Sequence, residues 1–370
     1  MSSVRHIAVV TGTRAEYGLL EPVLDAIDVH PMLTCSLIVS GSHLLPEVST
    51  RDEIMNKRSV HAEVYMQQPG RVGRGEDAQA VARGIEGCIK AYDNMLPDIV
   101  LVLGDRIEAF AAASAASIGG YTLGHIHGGD RAEGVADEAM RHAITKLAHI
   151  HFPATLKSAN RIQKMGEHLE RIFMVGSPAA DGMHAITPMS DESYAHLGSP
   201  RTLFLMHGTG AESDQEFSAA KNVIEACIAS GPVLAIAPNT DSGSEDVMRA
   251  LRECGDRVLI KNHLPRNQFL SLLKRVDALV GNSSAGLIEA AILGCPSINV
   301  GSRQNGRERA NNVIDVLDAN ISEVCSAIDE AGKLCKGIHH PYGDGHSGEQ
   351  IAEVLVTVPI SRPPRKRNSY

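Results

Sequence analysis

Titratable side chains crowd residues 125–138: His125, His127, Asp130, Arg131, Glu133, Asp137 and Glu138, with Gly128 and Gly129 between them. Carboxylates and imidazoles at that density suit proton transfer and the stabilisation of a developing cation. Asp105, in Gly104-Asp105-Arg106, adds a carboxylate directly after an apolar run. A second stretch suggests a different task. Gly281-Asn282-Ser283-Ser284 separates the apolar run at 278–280 from the helical pattern at 285–293. A turn between a strand's carboxyl end and a helix's amino end attracts anions, because unpaired N–H groups and the helix dipole meet there. Ser283 and Ser284 add hydroxyl donors, and Gly286 lets backbone approach a ligand. Glu289, one helical turn further on, suits a ribose hydroxyl. A plain strand–turn–helix corner capped by a serine would read the same way. Arg14, in the turn Thr11–Gly18, offers a guanidinium fork for a phosphate, or is an ordinary surface arginine.

These residues need strands that end together. Apolar runs at 5–10, 35–39, 61–66, 98–103, 121–126, 150–153 and 171–175 alternate with helical patterns at 19–29, 48–57, 79–94, 107–118, 137–148 and 155–165. After a break rich in Pro and Gly near 179–200, strands at 202–206, 233–237, 258–260, 278–280 and 297–300 alternate with helices again. That rhythm predicts α/β architecture: two Rossmann-like, doubly wound parallel-sheet domains, 1–185 and 186–358. A basic tail at 359–370 is expected to be disordered. The small-residue helix 107–118 suits either a core or an interface. A helix near 320–335 is expected to run back across the domains.

Composition narrows the classes. The 370 residues carry 35 Lys and Arg against 44 Asp and Glu, a net charge of −9. An acidic chain is a poor general nucleic-acid binder, so no such partner is expected. The seven cysteines are scattered without a CxxC pair and read as reduced thiols that pack. No run resembles a signal peptide or a membrane span, so the expected location is cytoplasmic, without membrane contact. The pairs His125/His127 and His149/His151 alternate along strands and form no compact ligand set, so neither metal nor other cofactor is expected.

Seven segments together carry a resemblance: GTRAEYG at 12–18, GDRIEAF at 104–110, HIHGGDRAEG at 125–134, DEAMRHAITKLAH at 137–149, PNTDSGS at 238–244, GNSSAGLIEA at 281–290 and GSRQNGRE at 301–308. In this order they resemble the hydrolysing UDP-N-acetylglucosamine 2-epimerases over about residues 5–318. The resemblance implies a GT-B fold, two Rossmann-like domains facing a cleft, with the second holding the nucleotide. It implies a nucleotide-sugar substrate and a homodimer or homotetramer. The implied chemistry eliminates UDP across C1 and C2 to a 2-acetamidoglucal. Water then adds at C1 and a proton returns to C2 from the other face, giving N-acetylmannosamine and UDP.

Asp105 matches the family's acid/base aspartate, and Asp137 an aspartate opening the RHAITK helix. His207, Asn239, Asp241, Ser244, His263, Ser283, Ser284, Glu289 and Arg303 match nucleotide-sugar contacts. Two positions depart from the pattern. His127 stands where animal members carry a glutamate, so His127 or Asp130 takes that proton work. Leu19 stands where a lysine is frequent, so one phosphate cation is missing. Within the resemblance, UDP-N,N′-diacetylbacillosamine is the rival substrate. A non-hydrolysing epimerase, a GT-B glycosyltransferase and a nucleotide-sugar sensor are the rival functions.

Overall fold

The computed structural model describes residues 4–46, 48–71, 73–131, 137–239, 242–334, 339–361 and 364–369. β1 (Arg5–Thr11), β2 (Leu33–Ser40), β3 (Val60–Val64), β4 (Ile99–Leu103), β5 (Thr122–Ile126) and β6 (Ile150–Phe152) form one sheet, ordered β3-β2-β1-β4-β5-β6. β7 (Thr202–Leu205), β8 (Val233–Ile236), β9 (Leu259–Lys261), β10 (Ala278–Gly281), β11 (Ser297–Val300) and β12 (Val313–Val316) form a second, ordered β12-β11-β10-β7-β8-β9. Every neighbouring pair is parallel. Parallel strands need crossovers, and the crossing helices cover both faces. β4 and β5 are accordingly buried at every position.

Counted from its own first strand, each sheet has the same order. The order reverses between β1 and β4 in one and between β7 and β10 in the other. At such a reversal neighbouring crossovers leave on opposite faces and open a crevice beyond the strands' carboxyl ends. The two doubly wound sheets are those expected. β12 was not: VIDV is too short and too polar to stand out in sequence. Conversely, the run at 171–175 forms only a single bridge, Ile172 to His151, beside β6.

The helix after β1 spans Arg14–Val29 and starts earlier than its apolar periodicity suggests. The Glu16 N–H donates to the Thr13 hydroxyl at 3.3 Å, and the Glu16 carboxyl reaches back to the Gly12 N–H at 3.1 Å. This reciprocal cap satisfies donors that would otherwise be orphaned. Burial, then the nearby Glu108 carboxylate, push the Glu16 carboxyl up to about 8. The helix Ile107–Ile118 buries its alanines in the first sheet's core and is a core element.

The described chain divides into two compact units, residues to Asp181 with Tyr342 onward, and Gly182–Pro341. This differs from the division at 185 and 186. The helix Ile321–Ala331 stays in the second unit, packed on the helix Ser213–Ser230. The returning element is Ser347–Thr357, which packs on Arg14–Val29 in the first unit. Asp181 accepts from the N–H groups of Ser347 (2.9 Å) and Gly348 (2.6 Å) at its amino end. Arg5 donates to the carbonyls of Leu355 (2.6 Å) and Val358 (2.8 Å) at its carboxyl end. Ile351 and Leu355 are fully buried, each contributing roughly 1.5–3 kcal/mol. The tail is not disordered where it is described: residues 364–369 lie against the first unit, held by Lys366, Asn368 and Ser369.

Candidate active site

The first unit's order reversal places Gly12–Arg14 after β1 and Gly104–Arg106 after β4. β5, next to β4, delivers His127 one residue past its end. Asp105 pairs with Arg141, from the helix Asp137–Leu147, through Oδ2 and NH2. Arg141 is buried, and its other terminal nitrogen donates to the His127 carbonyl at 3.1 Å. A buried guanidinium needs such partners. It ties the Asp105 turn to the His127 turn.

His127 has φ of 62°, unusual outside glycine and a conformation that surrounding structure must enforce. Its Nδ1 lies 2.8 Å from Asp130 Oδ2, and its Nε2 lies 3.0 Å from the Ser177 hydroxyl. Asp130 also accepts from the Ser158 hydroxyl at 2.7 Å. Burial raises the Asp130 pKa, but the His127 bond and charge, Arg141 and Ser158 outweigh it and hold the carboxyl well below the usual range. An ionised Asp130 accepts a hydrogen bond from Nδ1–H and leaves Nε2 as the basic nitrogen. His127 and Asp130, alternatives in the sequence, are therefore one hydrogen-bonded pair. His125, one strand position inside, bonds Gly104 O at 2.7 Å and Thr145 at 3.2 Å, and burial lowers its pKa to about 3. It braces the β4 turn as a neutral ring.

The second unit repeats the plan with different chemistry. His207 follows β7 and the Gly281–Ser284 turn follows β10, across the reversal. Asn282, 1% exposed, joins them: its side chain accepts from His207 N (2.7 Å) and donates to His207 O (2.9 Å). His207 Nε2 lies 3.3 Å from the Ser283 hydroxyl, and its Nδ1 accepts from Asn239 N at 3.1 Å. Arg303 NH1 donates to Asn282 O at 3.2 Å, beside Gln304 at 2.7 Å. Gly281 has φ of 147°, and a Cβ there would collide with Leu205 O. Buried Glu216 accepts from Thr209 N and Oγ1, each at 2.9 Å, and so shapes the His207–Gly210 turn. Asn239 and Ser244 line a cleft of about 500 Å³ with Arg249 and Arg252.

The Gly281–Ser284 turn differs from expectation in one respect. Ser284–Gly286 is a single 3-10 turn, and the α-helix starts only at Glu289. Gly286 packs so tightly on Ser297 that a Cβ would clash, and Asn312 takes its carbonyl at 3.0 Å. A regular helix cannot start there. Ser283 caps the 3-10 turn through Ala285 N at 3.4 Å. Glu289 thus opens the helix and lies 3.7 Å from Arg266.

The structure gathers Asp105, His127 and Asp130 in one unit and His207, Asn239, Ser283, Ser284 and Arg303 in the other. Arg14 opens its helix and pairs with Glu53 at 3.4 Å on the surface. His263 follows β9, two strands from β7, and is exposed. Glu138 lies 3.6 Å from His142 on its own helix. Glu133, Asp241 and the Asp137 side chain lie outside the described residues. Asn282, Glu216, Gln304 and Ser177 join the site without having stood out in the sequence. Asn282 was visible as the amide inside the turn, but its partner lies 75 residues away. Among the described residues no cluster of metal-ligating side chains occurs, and no helix is long and apolar enough to cross a membrane.

Fold and site together define a two-unit α/β enzyme with acid–base groups at one order reversal and a hydroxyl-rich turn at the other. The pattern of the family described as UDP-N-acetylglucosamine 2-epimerase matches residues 25–356. The hydrolysing UDP-N,N′-diacetylbacillosamine 2-epimerase of Legionella pneumophila is 36% identical, across 99% of this chain and 100% of that one. The UDP-N-acetylglucosamine 2-epimerase of Neisseria meningitidis serogroup B is 33% identical, across 90% and 89%. A crystal structure of the Neisseria meningitidis UDP-GlcNAc 2-epimerase bound to UDP-GlcNAc superposes with a TM-score of 0.79 at 18% identity, covering 95% of this chain and 99% of that one. The chain belongs to the UDP-N-acetylglucosamine 2-epimerase family.

Proposed function

We propose that this family member is hydrolysing: it releases UDP from a UDP-linked 2-acetamido sugar and frees the sugar epimerised at C2. The observation that carries the reading is the Asp105–Arg141–His127–Asp130 cluster, which holds two proton-transfer groups in one frame.

The C2 proton is weakly acidic, so departure of UDP leads and positive charge builds at C1. Ser283, Ser284 and Arg303 stabilise the departing diphosphate. Asp105 takes the C2 proton as the C1–O bond breaks, leaving a C1=C2 double bond. Water then adds to C1, giving one proton to His127 Nε2, and the His127–Asp130 pair delivers that proton to the opposite face of C2. Asp137 opens the helix that carries Arg141 and joins this set.

For the substrate, end-to-end similarity to the Legionella protein favours a 4-acetamido sugar, UDP-N,N′-diacetylbacillosamine. Similarity to the Neisseria protein supports UDP-N-acetylglucosamine as the second reading. Offering both nucleotide sugars and following UDP release tests the proposal. Turnover of either, abolished by Asp105→Asn with UDP binding retained, is the expected result. Transfer of the sugar to an acceptor, or UDP binding without turnover of either, would replace it with a transferase or a sensor.

A further inference from the structure

We propose that the basic C-terminal segment is a clasp, and that Lys366 is a positioning residue for the helix Asp137–Leu147. This rests on the reading of Asp105 and His127 as proton-transfer groups, because that helix holds both through Arg141.

Lys366 Nζ donates to the carbonyls of Thr145 (3.3 Å) and Ala148, and lies 2.8 Å from Glu167 Oε2. Those carbonyls belong to the helix's last turn and the residue after it, where no intrahelical N–H remains to satisfy them. An ammonium there also meets the negative end of the helix dipole. The helix's own Lys146 turns the other way. It donates to Met165 O (2.8 Å), Glu167 Oε1 (2.7 Å) and the tail's Asn368 Oδ1 (2.8 Å). Glu167, with its side chain 4% exposed, therefore receives one lysine on each oxygen, and His151 Nε2 at 3.1 Å. Ser369 closes the clasp, its N–H on Gly166 O (2.8 Å) and its hydroxyl on Glu167 O (3.3 Å).

The other side of the same helix faces the chemistry. Thr145, whose carbonyl Lys366 holds, bonds His125 through its hydroxyl, and His125 bonds Gly104 O beside Asp105. Arg141, one turn earlier, holds Asp105 and the His127 carbonyl. The path from the tail to the candidate acid is thus a set of short polar contacts through one helix. A surface ion pair would contribute little. Here the ammonium is half-buried, and most of its bonds go to carbonyls at a helix end.

Three full-length variants and one truncation test this: Lys366→Met, Lys366→Arg, Lys366→Gln, and a chain ending at Ser361. Steady-state turnover is read with amide hydrogen exchange across 137–148. A synthetic peptide of residues 359–370 is then added to the truncated protein. Expected are a kcat about ten- to hundredfold lower with KM within about twofold in Lys366→Met, Lys366→Gln and the truncation. Faster exchange in the helix, recovery of kcat on adding the peptide, and near-wild-type turnover in Lys366→Arg complete the expectation. Wild-type kcat and unchanged helix exchange in the truncated and Met variants would overturn the clasp. A wild type that turns over neither nucleotide sugar, yet shows the exchange difference, would overturn the catalytic reading alone.

Discussion

The chemistry proposed for the first unit depends most on Arg141. It is buried, and its charge is met by Asp105 and by the His127 carbonyl. Arg141→Met should lower kcat by about 10²–10³ while UDP affinity stays within about threefold, since the turns proposed to hold the nucleotide belong to the other unit. Titration with UDP beside a turnover assay separates the two effects. Asp130 has a different signature. Its folded pKa lies below the usual carboxylate value, so its stabilising effect is full above about pH 4 and disappears as pH falls through the folded value. Asp130→Asn should remove that component from acid unfolding. It should also cut kcat by about 10² or more, because an amide no longer dictates which imidazole nitrogen carries the proton. The His127 backbone at positive φ shows why the pair was not legible in sequence. Spacing placed the two residues three apart, but only the turn decides that their side chains meet.

At the scale of elements, turns built from remote partners govern the site. Asn282 bridges two strand ends, so Asn282→Ala removes both hydrogen bonds to the His207 backbone. The expected cost is about 1–3 kcal/mol of stability and roughly tenfold in UDP affinity, read by chemical denaturation and calorimetry. The Glu16 cap makes a pH prediction. Its folded pKa, about 8 against an ordinary 4.5, means the folded state binds the extra proton between those values. Stability is therefore full below the ordinary value and declines as pH rises through about 8. Glu16→Gln keeps an acceptor for the Gly12 N–H and should flatten the fall in Tm between about pH 5 and about pH 9. The strands and most helices were readable, because apolar runs alternate with amphipathic stretches. The start of the Arg14 helix was not, since a cap made by Thr13 and Glu16 outweighs weak periodicity. Nor was the 3-10 turn at Ser284, which follows from Gly286 packing against a strand that comes later in the chain.

For the whole molecule, topology explains why residues far apart in sequence meet within each unit. Both sheets reverse their strand order beside their first strand, and the candidate groups fall at those two reversals. Periodicity predicts the α/β class, but not that Ser347–Thr357 returns to the first unit. That return depends on Asp181 and Arg5 gripping the two ends of a helix. A basic tail read as disordered from composition is likewise held, because Glu167 and the end of one helix need its lysine.

Hydrolysis with inversion at C2 is the reaction to test. The most direct measurement is a proton NMR time course in deuterated water with UDP-N,N′-diacetylbacillosamine and, separately, UDP-N-acetylglucosamine. Expected, from one of them, is free manno-configured sugar with deuterium at C2 and one equivalent of UDP. A manno sugar still attached to UDP, or free sugar of unchanged configuration that keeps its C2 proton, would contradict it.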